Sequence, residues 1–107
     1  MTLDLDGRQE IKMSLRTLTK SKSSTLAKYF LGDEEAKDKL SEWIKKENET
    51  RYFIGRPLAM CEILFQFLRN KQNYGFVIND KSQRLDFWAE LDLFGLGYMK
   101  NRVSATH

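Results

Sequence analysis

The sequence is poor in the residue types that catalysis and metal binding use. Its one histidine, His107, is the last of 107 residues, a position where disorder is the usual expectation. Histidine-based acid–base catalysis, Ser–His and Cys–His nucleophilic pairs and histidine-rich metal sites are thereby excluded. We therefore expect a protein that is not an enzyme and that holds no metal ion and no cofactor.

Cysteine and glycine are also scarce. The only cysteine, Cys61, cannot form an internal disulfide or a cysteine-rich zinc site. Because it stands in an apolar run, we interpret it as a small buried hydrophobe in a reducing compartment. The six glycines are scattered singly, so the sequence has no glycine-rich loop of the kind that binds phosphate.

Long apolar runs and a strong excess of either charge are missing too. No apolar stretch approaches the roughly 20 residues that span a bilayer, and the amino terminus has no signal-peptide pattern. The formal net charge of +3, from 18 basic and 15 acidic residues, is too small to predict a nucleic-acid partner. We interpret the one basic cluster, residues 16–22, as a solvated surface segment rather than a phosphate-binding strip. We expect a cytoplasmic protein whose domain contacts neither nucleic acid nor membrane.

The residues that are present suffice for one domain. Hydrophobic residues make up 41% and charged residues 31% of the sequence, as is ordinary for a globular protein. A chain of this length can bury a core without disulfides or metal. We expect residues 1–107 to form a single domain, excised from a longer protein, without a linker.

The amino-terminal residues predict a β-hairpin. Leu3 and Leu5 alternate with polar residues, as do Ile11 and Met13, and Asp6–Gly7 between them is a turn signal. Directly paired residues share a face, so the register must keep the apolar side chains together. We expect Leu5 to pair with Ile11 and Leu3 with Met13, through a bulged loop.

Helical patterns dominate the remainder and predict an α+β protein. We expect six helices: a short one after Ser14, then 25–31, 33–47, 57–70, one ending at Gly95, and 98–103. The expected amino-terminal caps are Ser14 for the first helix, Ser23 or Ser24 for the second, and Asp80 or Ser82 for the helix that ends at Gly95. Arg51–Ile54 predicts a strand, and 76–78 an extended run. Helix 57–70 is apolar around most of its circumference and should lie at the centre of the domain.

One pair of carboxylates has the spacing of a helical neighbour pair. Asp86 and Glu90 stand at i and i+4, so they share a helix face. A solvated face, a charged interface with a partner's arginine and a divalent-ion site are the three interpretations.

Three stretches, in this order along the chain, resemble the BTB/POZ domains that tetramerise voltage-gated potassium channels and their KCTD relatives. They are Leu3–Gly7 with Ile11, Leu15 and Leu18–Thr19; Tyr52–Pro57 running into Ile63–Arg69; and Phe87–Leu96. Together they span nearly the whole chain. The resemblance implies a BTB/POZ fold, with a small, mostly three-stranded sheet flanked by a cluster of α-helices.

The chain departs from that family at identifiable positions. Asp6 stands where the family has the first of two glycines, and Gly55 stands where it has an aspartate that organises a loop near the subunit contact. The charged helix 33–47 is longer than the family's loop there. Many channel versions hold zinc between subunits through histidine and cysteine, which Cys61 and His107 cannot supply.

The resemblance also implies a function, non-enzymatic homo-oligomerisation into a ring of four or five subunits. One subunit's hairpin and loops would contact the next subunit's helices through a largely polar interface. The candidate interface residues are the polar ones beside the core: Asp4, Asp6, Arg8, Arg56, Arg69, Asp86, Glu90 and Asp92. Such charged contacts set register and partner choice. We expect Glu90→Arg or Arg56→Glu to weaken the oligomer while the fold survives.

The alternative function is an adaptor that recruits a cullin-type ubiquitin-ligase scaffold, or an assembly domain of a cytoskeletal scaffold. Docking would use helix 33–47 and the turn near residues 74–76, with Trp43, Tyr74 and Phe76 as aromatic anchors. Trp43 has a second interpretation, in which it closes the edge of the core.

Overall fold

One four-stranded sheet organises the fold. A computed structural model of the chain describes residues 1–71 and 76–105. The strands of the sheet are β1 (Thr2–Leu5), β2 (Gln9–Lys12), β3 (Ile44–Asn48) and β4 (Arg51–Ile54). They lie in the order β2-β1-β4-β3; β1 and β4 pair in parallel, and the other two pairs are antiparallel.

Helices connect and cover these strands. They are α1 (Leu15–Leu18), α2 (Thr25–Phe30), α3 (Glu34–Leu40), α4 (Leu58–Gln66), which continues as a π-helical segment (Phe67–Lys71), α5 (Lys81–Leu93) and a 3-10 helix (Gly97–Arg102). Two short strands, β5 (Phe76–Val77) and β6 (Val103–Ser104), pair in parallel. The predicted α+β class is confirmed, with a fourth strand in the main sheet. None of the helices in the described ranges is long and apolar enough to cross a membrane.

The predicted helix 33–47 is wrong in its second half. Helix α3 ends at Leu40, and the chain re-enters the sheet as β3. Ile44 is buried opposite Ile54, and the Asn48 side chain accepts a hydrogen bond from the Thr50 backbone N–H at 2.9 Å, which closes the turn into β4. β3 is an edge strand with one buried residue. Its polar sequence resembles that of an exposed helix, because the pairing that makes it a strand comes from tertiary contacts.

The hairpin register also differs from the prediction. Leu5 pairs with Gln9 and Leu3 pairs with Ile11, a shift of two residues from the expected partners. Asp6 and Gly7 both have positive φ, and the Arg8 N–H donates to the Leu5 carbonyl at 3.0 Å. An Asp–Gly pair favours this tight turn. Since the shift is even, the apolar residues still share the face that packs on the helices.

Side-chain caps begin four of the helices. The capping side chains accept a hydrogen bond from the backbone N–H three residues later, and they are Ser14, Ser24, Asp33 and Asp80. This confirms Ser14 and decides the two open alternatives in favour of Ser24 and Asp80.

The core lies between the sheet and α4, as the apolar circumference of that helix predicted. Leu3 and Leu5 of β1 are fully buried, and Cys61, Leu64 and Phe65 of α4 are buried with them. Helix α5 packs against α4 on the side away from the strands, with Phe67 and Phe87 in edge-to-face contact at 6.1 Å between ring centroids. The helix layer therefore covers one face of the sheet.

Gly95, just after the end of α5, packs closely against the start of α2. It has a φ of +73°, and the Leu96 N–H donates back to the Leu91 carbonyl at 2.7 Å, the hydrogen bond of a Schellman motif. The Leu26 N–H donates to the Phe94 carbonyl at 3.0 Å. A Cβ on Gly95 would stand 2.6 Å from the Thr25 hydroxyl and closer still to its backbone nitrogen. Only glycine satisfies both the dihedral angle and this close approach.

We predict that Gly95→Ala destabilises the protein far more than Gly32→Ala. Gly32 also has a positive φ, +92°, but no atom lies within 4 Å of the position a Cβ would take. Gly32→Ala should therefore cost only the dihedral strain of about 1–2 kcal/mol, whereas Gly95→Ala adds a steric clash with backbone. Urea unfolding measures both, and equal losses would contradict this account.

Candidate interaction surfaces

The main sheet has one face that is not used by the core. We call it the outer sheet face and define it by the residues that register places opposite one another on the exposed side: Thr2, Asp4, Glu10, Lys12, Lys45, Arg51 and Phe53. All seven are partly or fully exposed. Charged side chains of both signs cover most of this face.

Arg51 organises the charges of the outer sheet face. Its guanidinium lies 2.7 Å from Glu10, 3.0 Å from Glu47 and 3.4 Å from Asp4, so it contacts carboxylates from three other strands. Hydrogen bonds to Glu10 and then to Glu47 raise the pKa of Arg51. Three carboxylates around one cation leave a locally acidic patch, in which Arg51 brings charges of three other strands to one place.

Phe53 is an aromatic ring in the middle of this charged face. It is half-buried, because its ring lies across two glycines: a Cβ on Gly55 would stand 3.1 Å from the ring, and a Cβ on Gly7 would stand 3.8 Å from it. Gly55 also donates its N–H to the Trp43 carbonyl at 2.6 Å. An aspartate at position 55, as in the family that the sequence resembles, would press on the Phe53 ring.

A second group of charges is buried within the chain. Arg56 follows β4, and its Nε donates to both carboxylate oxygens of Glu90 on α5, at 3.0 and 3.1 Å, while Nη2 donates to one of them. The Glu90 side chain is 5% exposed and that of Arg56 is 25% exposed. The Trp43 ring centroid lies 5.5 Å from the Arg56 guanidinium carbon. Hydrogen bonding to Glu90 raises the pKa of Arg56.

This pairing changes the expectation for charge reversal. A buried charge is stable only beside its counter-charge. Glu90→Arg would set two cations together, and Arg56→Glu would set two carboxylates together. Both substitutions should therefore damage the fold, in contrast to the expectation from the sequence that the fold survives them.

A groove of about 430 Å³ lies beside the pair, between the start of α4 and α5. Its lining consists of Arg56, Pro57, Ala59, Met60, Asp86, Ala89 and Glu90. Asp86 is exposed while Glu90 points into its ion pair, so the two carboxylates do not form one solvated helix face. Within the described ranges, no cluster of three or more histidine, cysteine or acidic side chains is placed to hold a metal ion.

The other candidate residues are spread over the molecule. Arg8 is exposed beside the hairpin turn that contains Asp6. Arg69 donates to the Lys12 carbonyl, and Asp92 pairs with Lys100 at 2.5 Å. Asp4, Asp6 and Arg8 all belong to the hairpin, where Asp4 contacts Arg51. Arg56, Asp86 and Glu90 line one groove, and Arg69 and Asp92 lie in neither place.

The aromatic docking candidates have different outcomes. Trp43 is half-buried and packs on the core while its ring contacts Arg56, which agrees with the interpretation that it closes the core edge. Tyr74 lies outside the described residues. Phe76 belongs to β5.

Sequence reasoning missed the residues that give the outer sheet face its character. The sequence patterns assign strand positions to Arg51, Phe53 and Glu10 and a helix position to Glu47, with no role in a surface. The signal that could have identified Arg51 and Phe53 is their alternation with Tyr52 and Ile54, which places a cation and an aromatic ring on the solvent side of a strand. Glu47 could not be assigned while β3 was taken for a helix.

Comparison with known proteins does not identify the chain. No protein-family model matches it, and no curated protein does.

We predict that Glu90→Ala destabilises the protein by about 3 kcal/mol, because it leaves the guanidinium of Arg56 without its counter-charge in a largely buried site. The matched control is Asp92→Ala on the same helix, whose exposed ion pair with Lys100 should be worth less than about 1 kcal/mol. Thermal and urea unfolding of the two variants give the comparison. A loss for Glu90→Ala as small as that of the control would show that the pair is not structural.

We predict that the Cys61 thiol is inert in the folded protein. Cys61 is buried, and its Sγ lies 3.5 Å from the Arg56 carbonyl oxygen. Burial, with a further contribution from the Glu90 carboxylate, raises the pKa of this thiol to about 12. Since the thiolate is the reactive form, alkylation by iodoacetamide at pH 8 should proceed only through unfolding. Its rate should therefore rise in Glu90→Ala by the factor by which the unfolded fraction grows, about tenfold for each 1.4 kcal/mol of lost stability; rapid labelling of the native wild type would refute this.

Proposed function

We propose that this chain is a non-enzymatic self-assembly module of the BTB/POZ tetramerisation type, which forms a closed ring of four or five subunits. The observation that carries the proposal is the outer sheet face, where a half-buried aromatic ring lies within a network of ion pairs. The three-part sequence resemblance supports the same function.

The arrangement of charges favours a specific contact over a merely solvated surface. Arg51 gathers carboxylates of three strands at one place, which gives the cation of a partner several acceptors within reach of one another. Exposed cations at Arg8, Lys12 and Lys45 surround this acidic patch. A pattern of both signs imposes one register on the subunit that contacts it, because a shifted register brings like charges together.

The groove between α4 and α5 supplies a complementary surface. Pro57, Ala59, Met60 and Ala89 give it apolar walls, and Asp86 is an exposed carboxylate at its side. We infer that Phe53 of one subunit enters this groove of the next, with Asp86 beside the cations of the outer sheet face. Such a contact joins two different surfaces, and repeated heterologous contacts close into a ring when the rotation allows.

The mass in solution is the direct test. We expect multi-angle light scattering to give a tetramer or pentamer, and a strict monomer at about 100 μM would contradict the proposal, since an interface with a tighter Kd would be occupied there. The double variant Glu10→Lys with Glu47→Lys inverts the acidic patch and should shift the mass to the monomer.

A matched control uses the same change of charge elsewhere. Glu35→Lys with Asp38→Lys alters exposed residues of α3, away from the outer sheet face, and should leave the oligomer intact. Circular dichroism establishes that both variants remain folded, as expected for exposed ion pairs worth less than about 1 kcal/mol. Dissociation of both double variants alike would assign the effect to net charge and count against the outer sheet face.

A further inference from the structure

We propose that a groove on the helix side of β3 and β4 binds an acidic peptide segment of a partner protein. The groove has a volume of about 370 Å³ and lies between α2, α3 and the two strands. The residues that the argument uses are Tyr29, Phe30, Lys37, Ile44, Lys46 and Tyr52. We call it the α2–β3 groove; it is separate from the outer sheet face and from the groove between α4 and α5, and it does not depend on self-assembly.

Three aromatic rings form the floor of the α2–β3 groove. Phe30 contacts Tyr29 and Tyr52 edge-to-face, with ring centroids 5.1 and 5.0 Å apart, and the two tyrosine rings are 6.3 Å apart. Rings that pack in this way hold one another in place. Together with Ile44 they offer a preformed apolar surface to a side chain of the ligand.

The tyrosine hydroxyls supply donors without an internal acceptor. Tyr29 is only 9% exposed, yet neither its hydroxyl nor that of Tyr52 makes a hydrogen bond to another residue in the described ranges. Burial, and then the proximity of Tyr52, raise the pKa of Tyr29 above its ordinary value of 10.0. A tyrosine is protonated at neutral pH without any such shift, so its hydroxyl can donate. Among the described residues neither hydroxyl is a fully buried polar atom without a partner, so both are reached by solvent and are available to an acceptor on the ligand.

Two lysines give the groove its charge preference. Lys46 pairs with Tyr52 across β3 and β4 and therefore points to the same side of the sheet, and Lys37 comes from α3. Lys37 lies 4.0 Å from Glu34 and Lys46 lies 3.4 Å from Glu49, but these glutamate side chains are 86% and 91% exposed. Such solvated pairs are weak and exchange readily for a better-placed carboxylate.

The combination selects the class of ligand. A free inorganic anion would use the lysines and hydroxyls but not the aromatic floor. A carboxylate next to an aliphatic or aromatic side chain uses all of them, and an acidic peptide segment that contains a leucine or phenylalanine presents both together. The groove is open at the surface, which suits a chain passing across it.

The test measures fluorescence anisotropy of a fluorescein-labelled peptide, Asp-Glu-Leu-Glu-Asp, added to the full chain. Its uncharged counterpart, Asn-Gln-Leu-Gln-Asn, serves as the control ligand. We expect saturable binding of the acidic peptide below about 1 mM and none of the amide peptide. No saturable binding of the acidic peptide, or equal binding of both, would overturn the proposal.

Two variants and a matched control localise the site. Lys46→Met should weaken binding about tenfold, the effect of losing one hydrogen bond to a charged group, while Lys45→Met should change it less than about twofold, because Lys45 points to the opposite face of the same strand. Tyr29→Phe removes only a hydroxyl that has no internal partner, so it should leave stability unchanged and weaken binding about threefold or more.

Three other outcomes would contradict the proposal. Equal effects of Lys45→Met and Lys46→Met would mean general attraction to a basic surface. Unchanged affinity in Tyr29→Phe would place the peptide outside the groove. The site would belong to a free anion if millimolar inorganic phosphate displaced the acidic peptide completely and the amide peptide bound as tightly as the acidic one without phosphate. If the protein is monomeric and still binds the peptide, the self-assembly proposal is contradicted and the proposed peptide site is supported.

Discussion

The contact between Arg56 and Glu90 joins the sheet to the helices that cover it. Arg56 directly follows β4 and Glu90 lies in the last long helix, so the pair ties the end of the sheet to α5 across the start of α4. A carboxylate this deeply buried requires its counter-charge, and the bidentate geometry of arginine meets both oxygens at once. Trp43 covers the guanidinium, so the turn that leads from α3 into β3 is positioned by the same contact.

The two organised arginines show how one chain uses charge for different purposes. Arg56 has one buried partner, Glu90, so its charge is neutralised within the chain. Arg51 has three carboxylate partners on a face that remains in contact with solvent. Exposed ion pairs contribute little to stability, so the Arg51 network adds less to the fold than the buried pair of Arg56 with Glu90 does. Which of the charged interface candidates are structural therefore becomes apparent only when their burial is known.

Much of the fold was predictable from local patterns. Strands with period-two alternation, the Ser14 cap, the glycine at the end of α5 and the central apolar helix were all read correctly, because each signal lies within a few residues. The strand β3 was not predicted, because its only buried residue, Ile44, is recognisable as a core residue only through its pairing with Ile54. The site was harder still. The partnership of Arg56 with Glu90 spans 34 positions, and no local pattern reports such a separation.

Strand β3 is also the element that links the proposed activities. Its successive side chains point to opposite sides of the sheet, so Lys45 belongs to the outer sheet face while Lys46 borders the α2–β3 groove. The sheet itself separates the two surfaces, and occupation of one does not obstruct the other. A ring of four or five subunits would then carry as many copies of the groove at fixed spacing. Repeated acidic segments on one partner would bind such a ring with an effective concentration far above that for a single site, so weak individual contacts would suffice for recognition of the assembled form over the monomer.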